Sequence, residues 1–309
     1  MEILPQNLKI NHKKTAMIAE KISETKQLEI IGKKTQNPEI NIWGYDRLIH
    51  KMEPHRITFF DDEESTIEIK IGRGDYLQFN NEKIWDDKLK EEKIKGVKTG
   101  DKSVERAEIE GKEHFLLGKS YRFNFEFFIP ENFPIIDNRL VIGQWKQQFE
   151  EGTKNNALIA QRFRNGKYTI SFNPTGDPKG NGGNVNICEL NAKDVLGKRI
   201  QTEYEIRFSE DEDGYIKIRH NGNFLWEYHG KVSSSSKEYP VGKYYKDNFF
   251  FKFGLYKDSY EKRLLELENE EQTDENHKKI EALKKAIDDE NNGKLMTVYF
   301  KNYKVEEIG

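Results

Sequence analysis

Residues 121–127 read Tyr121-Arg-Phe-Asn-Phe-Glu-Phe127, and their strict alternation decides the fold class. Tyr121, Phe123, Phe125 and Phe127 fall on one face of an extended strand, with Arg122, Asn124 and Glu126 on the other, because successive strand side chains point to opposite sides. One apolar face and one hydrated face is the pattern of an antiparallel sheet buried on a single side.

The same period of two extends in both directions. It recurs in 66–71, 140–145, 167–172, 203–208, 249–256 and 296–305. Asp213-Gly214 and Asn221-Gly222 separate three short runs, 203–209, 215–220 and 223–229; such dipeptides are hairpin signals, since glycine accepts the positive φ of a tight turn. One segment breaks the pattern. Residues 258–290 contain no Pro or Gly, and Leu264, Leu267, Ile280, Leu283 and Ile287 recur at helical spacing. Gln272-Thr-Asp-Glu-Asn276 supplies capping residues for a second helix. The expectation is an all-β antiparallel sandwich over 36–309 with a helical hairpin inserted at 258–292. A polar arm over 1–35 precedes it, and the charged stretch 81–103 is expected as a surface excursion with a helical turn or two.

Composition narrows the function. Charged residues make up 34% of the 309, yet the net charge is only −3. No global field directs the chain to nucleic acid or a membrane surface, while 51 Lys and Arg leave cations for a local acidic-ligand site. The single cysteine, Cys188, cannot form an internal disulfide and is read as core. The N-terminal stretch lacks the apolar run of a leader, and no stretch is apolar enough to span a membrane. Export from a bacterium, to the periplasm or beyond, is the expected location, with the cytoplasm left open.

Three strands carry reactive groups at even spacing. Arg106 and Glu108 share a face in Glu105-Arg-Ala-Glu-Ile109, and Gln144 and Lys146 share one in 139–146. In 249–256, Phe249, Phe251, Phe253 and Leu255 form the apolar face, with Lys252, Gly254 and Tyr256 opposite. Together they present an Arg, an amide, two lysines and a tyrosine. That set suits binding a carboxylate and moving a proton next to it. A solvated sheet surface with local ion pairs is the bland alternative for each strand alone.

The segments RAEI (106–109), IGQWK (142–146) and FFKFGLYKD (250–258) resemble, in order and spacing, the signature motifs of the jelly-roll polysaccharide lyases. That group comprises the alginate lyases, glucuronan lyases and heparin lyase I family. The similarity spans about residues 60–305 outside the hairpin. It implies a concanavalin A-like jelly roll that cleaves a uronate-containing polysaccharide by β-elimination, with an acidic polysaccharide as partner and no cofactor. Arg106 and Gln144 would take the uronate carboxylate. Tyr256 matches the family's catalytic tyrosine, and Lys252 the lysine before it. Glu108, Trp145 and Trp226 complete the expected substrate-side set, Glu108 by fixing the arginine and the tryptophans by stacking on sugar rings or serving the core.

One departure matters. Many members carry His where this chain has Lys146, and a lysine is a base only if burial or nearby cations lower its pKa. Three readings stay open: Lys146 as a depressed base, Tyr256 as both base and acid, or a histidine from elsewhere, with His114 best placed. A fourth is a non-catalytic glycan-binding module on the same fold. His12, His50, His55 and His220 read as surface or strand-edge residues. The Gly-rich 176–183 loop reads as a lid over the cleft, and the acidic tip 210–213 as a solvated turn. Glycosidase chemistry would need two facing carboxylates, and these motifs supply only Glu108.

Overall fold

The computed structural model describes residues 45–50, 56–60, 66–72, 83–86, 91–94, 104–111, 114–150, 156–173 and 185–309. The 1–35 arm, the 176–183 loop, His12 and His55 lie outside these residues. The strands in chain order begin with β1 (Tyr45–His50), β2 (Ile57–Phe59), β3 (Ile67–Ile71), β4 (Lys83–Asp86), β5 (Glu91–Ile94) and β6 (Val104–Gly111). There follow β7 (Phe115–Leu116), β8 (Ser120–Phe128), β9 (Leu140–Phe149), β10 (Ile159–Arg164), β11 (Lys167–Phe172) and β12 (Val185–Asn191). After a short helix α1 (Ala192–Val195) come β13 (Arg199–Arg207), β14 (Tyr215–His220), β15 (Asn223–His229) and β16 (Tyr245–Asp258). Helices α2 (Tyr260–Asn269) and α3 (Asp274–Asn291) precede the last strand, β17 (Met296–Ile308).

Apart from β4 and β5, the strands form two antiparallel sheets. One runs β1-β6-β16-β9-β10-β11-β12, with β7 also on β16; the other runs β15-β14-β13-β8-β17-β3-β2. The expected sandwich is therefore present, with β16 inside the first sheet between β6 and β9, and β8 central in the second. Phe123 and Phe125 of β8 meet Trp145, Phe251 and Tyr204 in an aromatic core, with Trp145 4.3 Å from Phe251 and 4.5 Å from Tyr204 between ring centroids, while Phe127 stacks on Tyr168. Each such ring contributes roughly 1.5–3 kcal/mol through burial. Two Asn-Gly pairs, Asn165-Gly166 and Asn221-Gly222, turn their hairpins with positive φ at both positions. The 81–103 stretch differs from expectation. Its described residues form a small ladder, β4 against β5, rather than helical turns. A charge-rich composition places a segment at the surface but does not choose its backbone.

The helical hairpin is anchored hard. Ser259 caps α2 by accepting from Lys262 N, and Thr273 caps α3 by accepting from Asn276 N. Leu267, Ile280, Leu283 and Ala286 are buried. Tyr260 donates to Glu290 at 2.7 Å, and the wholly buried Lys257 pairs with Glu105 beneath it. Arg263 grips Asp137 at 2.6 Å, so the hairpin packs onto the segment that leads into β9.

His220 corrects the sequence reading. It shares the inner face of β14 with Ile216 and Ile218, is 5% exposed, and neither ring nitrogen has a hydrogen-bond partner. Burial lowers its pKa to about 4. The unfolded chain binds this proton near pH 6.5, so the stability tied to a neutral His220 is complete above 6.5 and lost as pH falls toward 4. The loss amounts to roughly 2–3 kcal/mol by pH 4.5. Urea midpoints at pH 7 and 4.5 should therefore diverge less for His220→Leu than for the parent; equal divergence would refute this assignment.

Candidate active site

Strand β16 brings the three reactive segments together. On one side Tyr256 pairs with Arg106, Gly254 with Glu108 and Lys252 with Glu110. On the other, Lys252 pairs with Gln144 and Phe250 with Lys146. Phe249, Phe251, Phe253 and Leu255 belong to the core, so Lys252 and Tyr256 point outward by alternation. Arg106, Glu108, Gln144, Lys146, Lys252 and Tyr256 thus converge on one outer patch of the first sheet.

Within the patch the contacts are specific. Glu108, 1% exposed, accepts from Gln144 Nε2 at 2.7 Å and pairs with Arg106 Nε at 3.1 Å. It lies beneath the two groups and holds both, pairing with the arginine as expected and binding the amide as well. A carboxylate so placed holds guanidinium and amide in one orientation without facing a ligand. The Arg106 guanidinium lies 4.1 Å from the Tyr256 ring centroid, and Lys252 pairs with Glu110 at 2.9 Å.

Other expected residues fall elsewhere. Trp145 is fully buried between the sheets and cannot stack on a sugar. Trp226 pairs across from Ile218 and packs against Phe172 and Tyr228; it faces the interior, away from the patch. His114 is exposed, with Nδ1 3.2 Å from Gln148 and 3.3 Å from Asn248. Gln148 and Asn248 lie two residues beyond Lys146 and before Phe250, so His114 sits on the same face, about 7 Å further along the strands.

The sequence reading missed two arginines. Along β9 the alternation slips: Leu140, Ile142 and Trp145 are core, whereas Gln144 and Lys146 face out. The register against β10 jumps between Gly143 and Val141, and against β16 between Phe253 and Tyr256. These are β-bulges, which insert a residue and re-aim the chain. Gly143 sits at the slip because a side chain there would overlap Gln161 Oε1. Arg139 is consequently turned onto the same face as Gln144, an odd and an even position together. It donates from Nη2 to Tyr256 Oη at 3.1 Å and grips Asp258 at 2.8 Å. Asp258 is also bound by Lys262 of α2. On β10, Arg162 stands opposite Val141, which stands opposite Tyr256.

Charge in the patch is uneven. Arg106, Arg139 and Lys252 each face a carboxylate, namely Glu108, Asp258 and Glu110. Among the described residues, Lys146 and Arg162 pair with none. Burial, reinforced by Lys252 and Arg106, lowers Lys146 to about 8. Burial and neighbouring Arg139 lower Arg162 as well. Two half-buried cations without counter-ions form a surface prepared for anions.

Comparison with known proteins bears on the fold and the family. No curated protein sequence matches the chain. Among solved structures, an endo-β-1,4-glucuronan lyase from the fungus Trichoderma reesei superposes with a TM-score of 0.51 at 12% identity, covering 86% of this chain and 92% of the other. An alginate lyase from Chlorella virus gives 0.45 at 11% identity, covering 86% and 93%. The first of these likenesses supports the β-sandwich fold. The model of the polysaccharide lyase family matches residues 78–278, a span that contains every patch residue from Arg106 to Tyr256, and the chain belongs to that family.

Proposed function

We propose that the protein cleaves a uronate-containing polysaccharide by β-elimination on the outer patch of the first sheet. Arg106 and Gln144, locked by Glu108, take the carboxylate of the uronate. Removing the C5 proton creates an enolate-like dianion beside that carboxylate, and fixed donors aimed there stabilise charge as it develops. Lys146 is the base, and Tyr256 protonates the leaving glycosidic oxygen. Lys252, paired with Glu110, adds positive charge beside Gln144.

The observation that carries this reading is Lys146 itself. A lysine in the usual histidine position has no counter-ion among the described residues and is lowered to about 8, which leaves about a tenth of it neutral at pH 7. A second reading, Tyr256 as both base and acid, draws on the Arg139 donor to Tyr256 Oη, which would stabilise negative charge on that oxygen.

The test is a continuous ultraviolet assay across glucuronan, alginate, heparin, heparan sulfate, hyaluronan and chondroitin. Elimination leaves a conjugated unsaturated uronate that absorbs where the substrate does not. Absorbance should rise with one polymer; binding with no rise for any would favour a glycan-binding module. With the cleaved polymer, kcat/KM should climb about tenfold per pH unit below pH 8 and level off above it, because the base acts only when neutral. Lys146→Gln should lose that limb along with most of the rate. A parent profile flat from pH 6 to 9 would transfer the base role to another group.

A further inference from the structure

Arg162 has the geometry of an anion-reading residue that the cleavage chemistry does not use. Its Nε donates to Ser171 Oγ at 3.0 Å, which fixes the plane of the guanidinium. Neither terminal nitrogen makes a hydrogen bond or ion pair among the described residues. The side chain is half-buried, so the group is held in place yet reachable. Arg139, the charge that acts most strongly on it, is itself a cation already committed to Asp258 and Tyr256. An oriented fork with a free edge matches a carboxylate or sulfate in two parallel hydrogen bonds.

Its position specifies which group it would read. Across the sheet the row runs Arg106, Tyr256, Val141, Arg162. Neighbouring strands are about 4.8 Å apart, so Arg162 lies about 10 Å beyond Tyr256, on the side away from Arg106. We infer that Arg162 forms a second anion subsite, which takes the acidic group of a sugar across the scissile bond from the uronate held by Arg106 and Gln144. The enzyme would then require acid on both sides of the bond it cuts. This inference rests on the reading of the patch as the seat of an acidic glycan.

Binding tests it without turnover. Affinities would be measured by calorimetry in a Tyr256→Phe background, which serves as the parent here, with and without Arg162→Gln, for three probes: a glucuronan hexasaccharide, its carboxyl-reduced neutral counterpart, and a heparin hexasaccharide. Losing a charge-assisted fork should weaken an acidic probe roughly ten- to hundredfold and leave the neutral one unchanged. Selective loss for glucuronan identifies a carboxylate; loss confined to heparin identifies a sulfate. Arg162→Lys, which keeps the charge without the fork, should recover part of the affinity, and it serves as the working variant if the Gln protein does not fold. A variant that binds every acidic probe as tightly as the parent overturns the subsite alone. A parent that binds none of the probes overturns the acidic-glycan reading and the subsite with it.

Discussion

Gly254→Ala should cost the protein roughly 2–5 kcal/mol of stability and abolish activity in whatever remains folded. Gly254 lies on β16, an interior strand, between Lys252 and Tyr256, with φ of +137°, a conformation that side chains rarely adopt. An added Cβ would overlap the carbonyl oxygen of Ala107 and come within 2.8 Å of Glu108 Cα. Both are backbone atoms of β6, so no side-chain rotation relieves the clash; β6 must move off β16. That movement would carry Arg106 and Glu108 away from Tyr256 and Gln144. Gly222→Ala is the control. Gly222 also has positive φ, but nothing lies within 4 Å of its Cβ position, so its cost should stay near 1 kcal/mol. Denaturant midpoints of the two variants settle the matter. Equal, small losses would mean that β6 and β16 are looser than this packing requires.

Tyr256→Phe should lower kcat by a hundred- to ten-thousandfold while KM changes by no more than a few-fold. The ring stays, so its contacts with Arg106 at 4.1 Å and Arg139 at 4.8 Å persist. Only the hydroxyl is lost, along with one donation from Arg139, which keeps its grip on Asp258. The stability change should therefore be about 1 kcal/mol, small enough to separate chemistry from folding. Single-turnover kinetics with the cleaved polymer provide the measurement. A variant with unaltered kcat would assign the proton for the leaving oxygen to another donor, and a parent without turnover would leave a binding module.

Much of this architecture was legible because burial imposes a period of two. The strand at 121–127, the Asn221-Gly222 turn, the shared faces of the three reactive segments and the capped hairpin after Tyr256 all stand as the residue pattern implied. Trp145 and His220 were legible too. Trp145 follows the outward-facing Gln144, and His220 continues the buried series of Ile216 and Ile218; strict alternation places both inside. Asn165-Gly166 was an equally clear turn signal. Arg139 was hidden for a different reason. The slip at Ile142 and Gly143 depends on strands pairing from either side, and no local property of 139–146 announces it. Arg162 was hidden because a single arginine on a strand carries no motif; its meaning comes from Ser171 fixing it and from the lack of a carboxylate beside it. The small ladder at 83–94 eluded composition, which reports exposure rather than backbone state.

The bulge in β9 also constrains how this chain can drift. It acts as a phase-shifter: Arg139 and Gln144 are an odd number of residues apart, so straightening the strand at its present length would swing the arginine to the opposite side, into the aromatic layer. Point substitutions can accumulate around it, but a one-residue deletion keeps both side chains on one face only if the bulge is lost with it. A graft of the IGQWK segment onto an unbulged strand would likewise reproduce the letters and lose the Arg139–Tyr256 contact. Relatives that retain this contact should therefore combine an odd interval between Arg139 and Gln144 with the bulge, or an even interval with a regular strand.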